Sequence, residues 1–143
     1  MFKINVSHKG KTIKFETDNE SLIDKTIGET IPGTEISADL SSYDLEITGT
    51  SDKAGFPGLK KIKGPGLKRV LLSFETGMWT KPKGLKKTKQ RANSGLRLRK
   101  TIRGDTISAD TVQINTKVKK EGTKKFEEMI PKKEAKEETK ATA

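Results

Sequence analysis

The chain has 143 residues, 30% of them hydrophobic and 34% charged, and 30 Lys and Arg against 19 Asp and Glu give it a formal net charge of +11. A length of this order supports one domain with a thin apolar core. With no Cys and a single His, His8, disulfides, thiolate metal sites and His-centred relays lack material; the longest apolar run, Val70-Leu71-Leu72, is far below the roughly 20 residues of a membrane span, and Met1 to Val6 lacks the apolar stretch of a signal peptide.

Phe2, Ile4 and Val6 alternate with Lys3, Asn5 and Ser7, the period-two pattern of a half-buried strand. Gly10 follows in a short polar turn, and Ile13 and Phe15 alternate with Thr12 and Lys14, so a hairpin is predicted. Residues 18–25 start a short helix with Asp18 or Asn19 as N-cap, stopped by Gly28, Pro32 and Gly33. Ile36, and then Leu45 with Ile47, mark two further short strands, and Gly49-Thr50-Ser51-Asp52 reads as a turn. Residues 53–104 hold eight of the thirteen glycines and are loop-rich. Within them Arg69 to Ser73 fits a buried strand, and Leu98 to Ile102 and Thr106 to Ser108 read as strands around Gly104. Val112 to Asn115 alternates again, with Val118 beyond it. Lys124 to Ile130 has the spacing of a helical turn or two, and after Pro131 the chain contains only Lys, Glu, Ala and Thr, the composition of a flexible tail. Short strands at close spacing with Gly turns predict an all-β barrel or sandwich.

The charge is segregated along the chain. Residues 1–52 carry 5 Lys and 10 acids, a net −5; residues 53–103 carry 16 Lys and Arg and one acid, Glu75, a net +15; residues 104–143 carry 9 Lys and 8 acids, a net +1. A solvated surface would scatter its cations, whereas one basic block describes a face for a polyanion. The cations of that block are Lys53, Lys60, Lys61, Lys63, Lys68 and Arg69, then Lys81, Lys83, Lys86, Lys87, Lys89 and Arg91, then Arg97, Arg99, Lys100 and Arg103. Arg97, Arg99 and Arg103 share parity, so a regular strand aims all three to one side. Arg forks two bonds to one phosphate, and Lys acts as a point charge. RNA is favoured over DNA, because no helix-turn-helix, zinc-finger or basic-zipper pattern is present and the cations lie on loops and strand ends. Trp79 has two readings, a base-stacking platform or a side chain packed over the barrel mouth.

Other features carry blander readings. His8 is a surface turn residue. Gly10-Lys11-Thr12 ends like a phosphate-binding loop, but Asn5 occupies the position where that loop needs Gly. The acids of residues 1–52 solvate a face turned away from RNA and form no acid–base dyad. No catalytic residue, cofactor or metal site is expected, so the chain is read as a soluble intracellular binder and not an enzyme.

Three segments of the chain resemble a known family in order and spacing. Asp52-Lys53-Ala54-Gly55-Phe56-Pro57, Arg69-Val70-Leu71-Leu72-Ser73 and Gly95-Leu96-Arg97-Leu98-Arg99-Lys100-Thr101-Ile102-Arg103-Gly104 are similar to motifs of the archaeal and eukaryotic (e-type) small-subunit ribosomal protein six family. The resemblance covers residue 1 to about residue 121 and is to the short archaeal form. The segment between Trp79 and Gly95 is longer than in that family, Gly58 stands where the family has Met, and the long Arg-rich, Ser-bearing C-terminal helix of eukaryotic members is missing. The resemblance implies a cytoplasmic protein of the small ribosomal subunit, bound to ribosomal RNA and neighbouring ribosomal proteins, with a structural role in assembly and translation. No membrane or small-molecule substrate is implied.

The sequence therefore predicts a mainly β, small β-barrel-like domain over residues 1–121, with long basic loops and at most short helices, followed by a flexible polar tail over 122–143. All sixteen cations of residues 53–103, together with Trp79, are the expected RNA contacts. An RNA chaperone or nucleoid-type protein outside the ribosome is the alternative.

Overall fold

The structure is a computed structural model and describes residues 1–78, 95, 97–122 and 126. The helix expected over residues 124–130 and the tail, apart from Gly122 and Phe126, lie outside the described residues.

The N-terminal alternation forms the hairpin it predicts. Strands β1 (Phe2–His8) and β2 (Lys11–Thr17) pair antiparallel from Phe2↔Thr17 to His8↔Lys11. Lys9 and Gly10 both take positive φ, 44° and 80°, the backbone of a two-residue hairpin turn that matches the twist of its strands. Phe2, Ile4, Val6 and Ile13 are buried on one face. His8 closes β1 and is largely covered: its Nε2 lies 2.8 Å from Glu121 and its ring meets Phe126 edge-on at 5.4 Å. It is part of the packing and not the free turn residue its neighbours Lys9 and Gly10 suggest.

Five strands make the larger sheet. β3 (Thr30–Pro32), β4 (Asp44–Asp52) and β7 (Thr111–Lys120) join the hairpin in the order β2-β1-β7-β4-β3. β7 is central, parallel to β1 and antiparallel to β4. The apolar residues of these strands share one core with Leu22, Ile27, Ile36, Leu40, Tyr43, Ile107 and Phe126. The opposite face is polar, and Asn115 there accepts from both Asn5 and Gln113 at 2.9 Å. The remaining strands, β5 (Leu67–Leu72) and β6 (Leu98–Arg103), form a separate antiparallel ribbon.

The architecture is mainly β, with only 3-10 turns among the described residues. The larger sheet is not closed into a barrel; β2 and β3 are its edges. Several elements differ from the sequence pattern. In place of the helix over 18–25 stands one 3-10 turn, Glu20–Leu22, capped by Asn19. It cannot extend, because Asp24 turns to φ 68° and donates its N–H to Ile107 O; a one-turn helix forgoes little by yielding to such tertiary bonds. The strand expected at Ile36 lies at Thr30–Pro32, and Ile36 instead closes the 3-10 turn Gly33–Glu35. The turn expected at 49–52 is the second half of β4. Its register slips between Ile47 and Gly49, so the glycine marks a bulge, a feature that bends a strand without ending it. Thr106 makes a single bridge to Thr26 and no strand. The Arg69–Ser73 run is an open ribbon and not a buried strand: Leu67 and Leu71 are 48% and 50% exposed.

Gly58 lies against Thr50, and a Cβ there would also stand 3.0 Å from Ile27 Cδ1 and 3.1 Å from Gly104 O. A side chain there would require the Thr50 and Ile27 side chains to move.

The core and the ribbon should therefore respond differently to truncation. Ile114→Ala, at a fully buried site in the central strand, should cost about 2–5 kcal/mol. Leu71→Ala should stay within about 0.5 kcal/mol. Urea unfolding of the two variants checks this, and equal losses would mean the ribbon is part of the core.

Candidate nucleic-acid interface

The Asp52-to-Pro57 segment is a self-closing turn. Asp52 Oδ1 accepts from the N–H groups of Ala54 at 2.9 Å and Phe56 at 2.8 Å. The Asp52 N–H donates to Phe56 O and the Gly55 N–H to Asp52 O. Gly55 stands at φ 85°, a conformation that glycine adopts without steric cost. The second carboxylate oxygen of Asp52 accepts from Arg103 Nε at 3.1 Å.

Arg103 is the junction of the basic region. Its Nη1 donates to Pro65 O at 2.9 Å and Ser108 Oγ at 3.3 Å, and its Nη2 to Asp110 at 3.5 Å. Its main chain accepts from Leu59 N–H and donates to Pro57 O. The side chain is 10% exposed and that of Asp52 is 1%. Arg103 is thus not the third member of an exposed row with Arg97 and Arg99. β6 enters the body at its C-terminal end, and the guanidinium is enclosed there.

A second knot lies beside the first. Asp105, almost fully buried, accepts from Lys63 Nζ at 2.8 Å, the Gly64 N–H at 3.1 Å and Thr106 Oγ1 at 3.1 Å. Burial raises its carboxyl pKa, but these donors, Lys63 first, outweigh burial and hold it below its ordinary value. A Cβ on Gly104 would collide with Gly64 O, so the two loops approach at a distance only glycine permits. Asp110 is held below the usual carboxylate range by the hydrogen bond and charge of Lys53, 2.7 Å away, with Arg103 contributing less.

The predicted contacts divide into three groups. Arg69, Arg97 and Arg99 are exposed and Lys100 is half-buried; no ion pair joins any of them to another described residue. The register Arg69↔Thr101 and Leu71↔Arg99 puts Arg69 and Arg99 on one ribbon face with Leu67 and Leu71. Lys53, Lys61, Lys63 and Lys68 are exposed but engaged, with Asp110, Glu75, Asp105 and the Lys63 carbonyl respectively. The Lys61–Glu75 pair is open to solvent on both sides and contributes little. Lys60 is exposed, with its ammonium over Gly28. Arg103 forms the third group alone. Trp79, Lys81, Lys83, Lys86, Lys87, Lys89 and Arg91 lie outside the described residues. A cleft of about 500 Å³ separates the ribbon from the 58–62 loop, with Leu59, Ile62, Val70 and Leu72 in its walls.

Sequence reasoning missed the acids that organise this region. The sequence reads Asp52 as a turn and motif position and as one of the solvating acids of residues 1–52, whereas it is buried; Asp105 and Asp110 carry no reading there.

The chain matches the Ribosomal protein S6e family over residues 2–131. It is 42% identical over 132 residues to the small ribosomal subunit protein eS6 of Methanothermobacter thermautotrophicus, covering 90% of this chain and 94% of that protein. The eS6 proteins of Methanocaldococcus jannaschii and Archaeoglobus fulgidus are 41% and 42% identical, covering 85% and 79% of this chain and 82% and 78% of their own lengths.

A group whose folded pKa is depressed stabilises the fold above its unfolded value, and that stability is lost as pH falls through the folded value. Asp105 should therefore make the protein acid-labile below about pH 4. Asp105→Asn should lower the thermal midpoint at neutral pH and flatten its fall under acid. A variant with an unchanged acid limb would show that Asp105 does not govern it.

Proposed function

The chain belongs to the ribosomal protein S6e family, structural proteins of the small ribosomal subunit, and from that premise we propose that it holds ribosomal RNA on its β5–β6 ribbon and the adjoining 58–66 loop. It works there without catalysis, in the cytoplasmic ribosome, and supports subunit assembly and translation. The observation that carries this reading is the trio of Arg69 and Arg99 on one ribbon face and Arg97 just before β6, all exposed and joined to no described carboxylate.

Physical chemistry favours phosphate as the partner of that face. A planar guanidinium forks to one phosphate with two bonds, and a two-stranded ribbon presents such forks at fixed spacing. Leu67 and Leu71, exposed on either side of Arg69 on the same ribbon face, suit the apolar edges of riboses. Lys60, Lys61, Lys63, Lys68 and Lys100 add point charges around the ribbon, and Lys53 lies at its margin. Trp79 and the cations from Lys81 to Arg91, which follow in the sequence, are proposed contacts. Arg103 is excluded from the contact set, since its donors are spent inside. The acids of residues 1–52 lie on the body, which leaves the N-terminal hairpin for solvent or neighbouring ribosomal proteins. Residues 1–121 act as the RNA-binding unit and 122–143 as a polar extension.

If about 6–10 phosphates are neutralised, affinity for small-subunit ribosomal RNA should fall by roughly 10³–10⁵ between 50 and 200 mM salt. Replacing Arg69, Arg97 and Arg99 together by Ala should reduce the salt slope by about 3 and leave the fold intact. The protein should also stay with small subunits through a high-salt wash. A flat salt response, or release in the wash, would favour a loose RNA chaperone.

A further inference from the structure

We propose that Asp52 is a positioning residue for RNA binding: a buried negative charge whose removal weakens the hold on a polyanion. The inference rests on the reading of the ribbon and its loop as an RNA surface.

Simple electrostatics predicts the opposite, since losing an acid makes the protein one unit more positive. The geometry reverses that sign. Asp52 is 1% exposed at its side chain, so RNA outside is shielded from direct contact with it. Its carboxylate holds Arg103 Nε, and the rest of that guanidinium holds Pro65 O, Ser108 Oγ and Asp110. Each partner leads to a cationic element. Pro65 lies between Lys63 and Lys68, Asp110 holds Lys53, and Arg103 ends the strand that carries Arg99 and Lys100. The Arg103 main chain also fixes Pro57 and Leu59, from which Lys60 and Lys61 extend. One carboxylate thus sets the relative placement of β6, the 57–66 loop and the 105–110 turn.

A planar fork with four partners cannot be reproduced by an ammonium. Breaking one side of a buried pair leaves a charge without compensation. Without Asp52 the main-chain bonds of Arg103 to Pro57 and Leu59 remain, but the guanidinium that ties them to Pro65, Ser108 and Asp110 loses its anchor, and RNA must order the loosened loop and ribbon as it binds. The number of phosphates neutralised stays the same, but the ordering cost falls on the affinity.

The test is titration of the full chain against protein-free small-subunit ribosomal RNA from 50 to 200 mM salt, with the folded fraction of each protein followed by circular dichroism. Asp52→Asn should bind about tenfold more weakly at every salt concentration, on a line parallel to that of the unmodified protein. Arg103→Lys, which leaves the net charge unchanged, should shift the same way. The double variant should be no weaker than the weaker single, because both break one bond. Tighter or unchanged binding by Asp52→Asn would overturn the proposal and leave net charge as the governing quantity. A deficit that vanishes on correction for the folded fraction would also overturn it. If Asp52→Asn does not fold, Arg103→Lys carries the test under the same criteria. Unmodified protein without salt-dependent RNA binding would instead overturn the RNA reading on which the proposal stands.

Discussion

The buried pair of Asp52 and Arg103 is the constraint on which the basic region depends. It joins the end of β4, in the main sheet, to the end of β6, in the ribbon. The two elements share no direct strand pairing; the 57–58 segment bridges Ser51 of β4 and Arg103 of β6, and the ion pair fixes that bridge from the side-chain direction. An ion pair away from water earns its place only where hydrogen bonds satisfy the remaining donors. Here they do: the guanidinium also reaches a main-chain carbonyl, a hydroxyl and a second carboxylate. No buried side-chain nitrogen or oxygen among the described residues lacks a partner.

The +11 of the whole chain resolves into an arrangement once the pairs are known. Acids inside or beside the body anchor a subset of the cations, Arg103 and Lys63 above all. The guanidiniums of Arg69, Arg97 and Arg99 stand outside that subset. A thin core is compatible with this division of labour. The larger sheet buries its isoleucines and leucines on one face, while the ribbon leaves three leucines, Leu67, Leu71 and Leu98, open beside its arginines. A surface of mixed aliphatic and cationic character suits the sugar–phosphate exterior of a folded RNA, which is read by shape and charge more than by base edges.

Much of the sheet was legible because its signal is local. Phe2, Ile4 and Val6 announced β1 by alternation, Ile13 and Phe15 announced β2, and Val112 to Val118 announced β7. Glycine placed the hairpin turn. The misread elements are those where a distant partner decides. Gly49 to Asp52 has turn composition, yet pairing with β7 carries β4 through it. Ile36 looks like a strand residue, but the strand's place is taken by Ile31, which pairs with Leu45. Residues 18–25 have a cap and a helical look, and main-chain bonds of Asp24 and Lys25 to Ile107 claim the segment instead. Parity placed Arg103 with Arg97 and Arg99; only the fold shows Asp52 waiting behind it. The three motif segments identified the family, although composition alone could not separate residues that touch a ligand from residues that shape the surface.

The central claim is that the basic surface is set by the body before RNA arrives. Amide hydrogen exchange on the isolated protein tests this most directly. The N–H groups of Leu59, Arg103 and Asp105 are bonded to Arg103 O, Pro57 O and Ile62 O, and they sit at the junction of loop, ribbon and body. The account predicts that they exchange slowly, with protection approaching that of β1 and β7, in the absence of RNA. Exchange at the rate of an unprotected loop, with protection appearing only after ribosomal RNA is added, would contradict it.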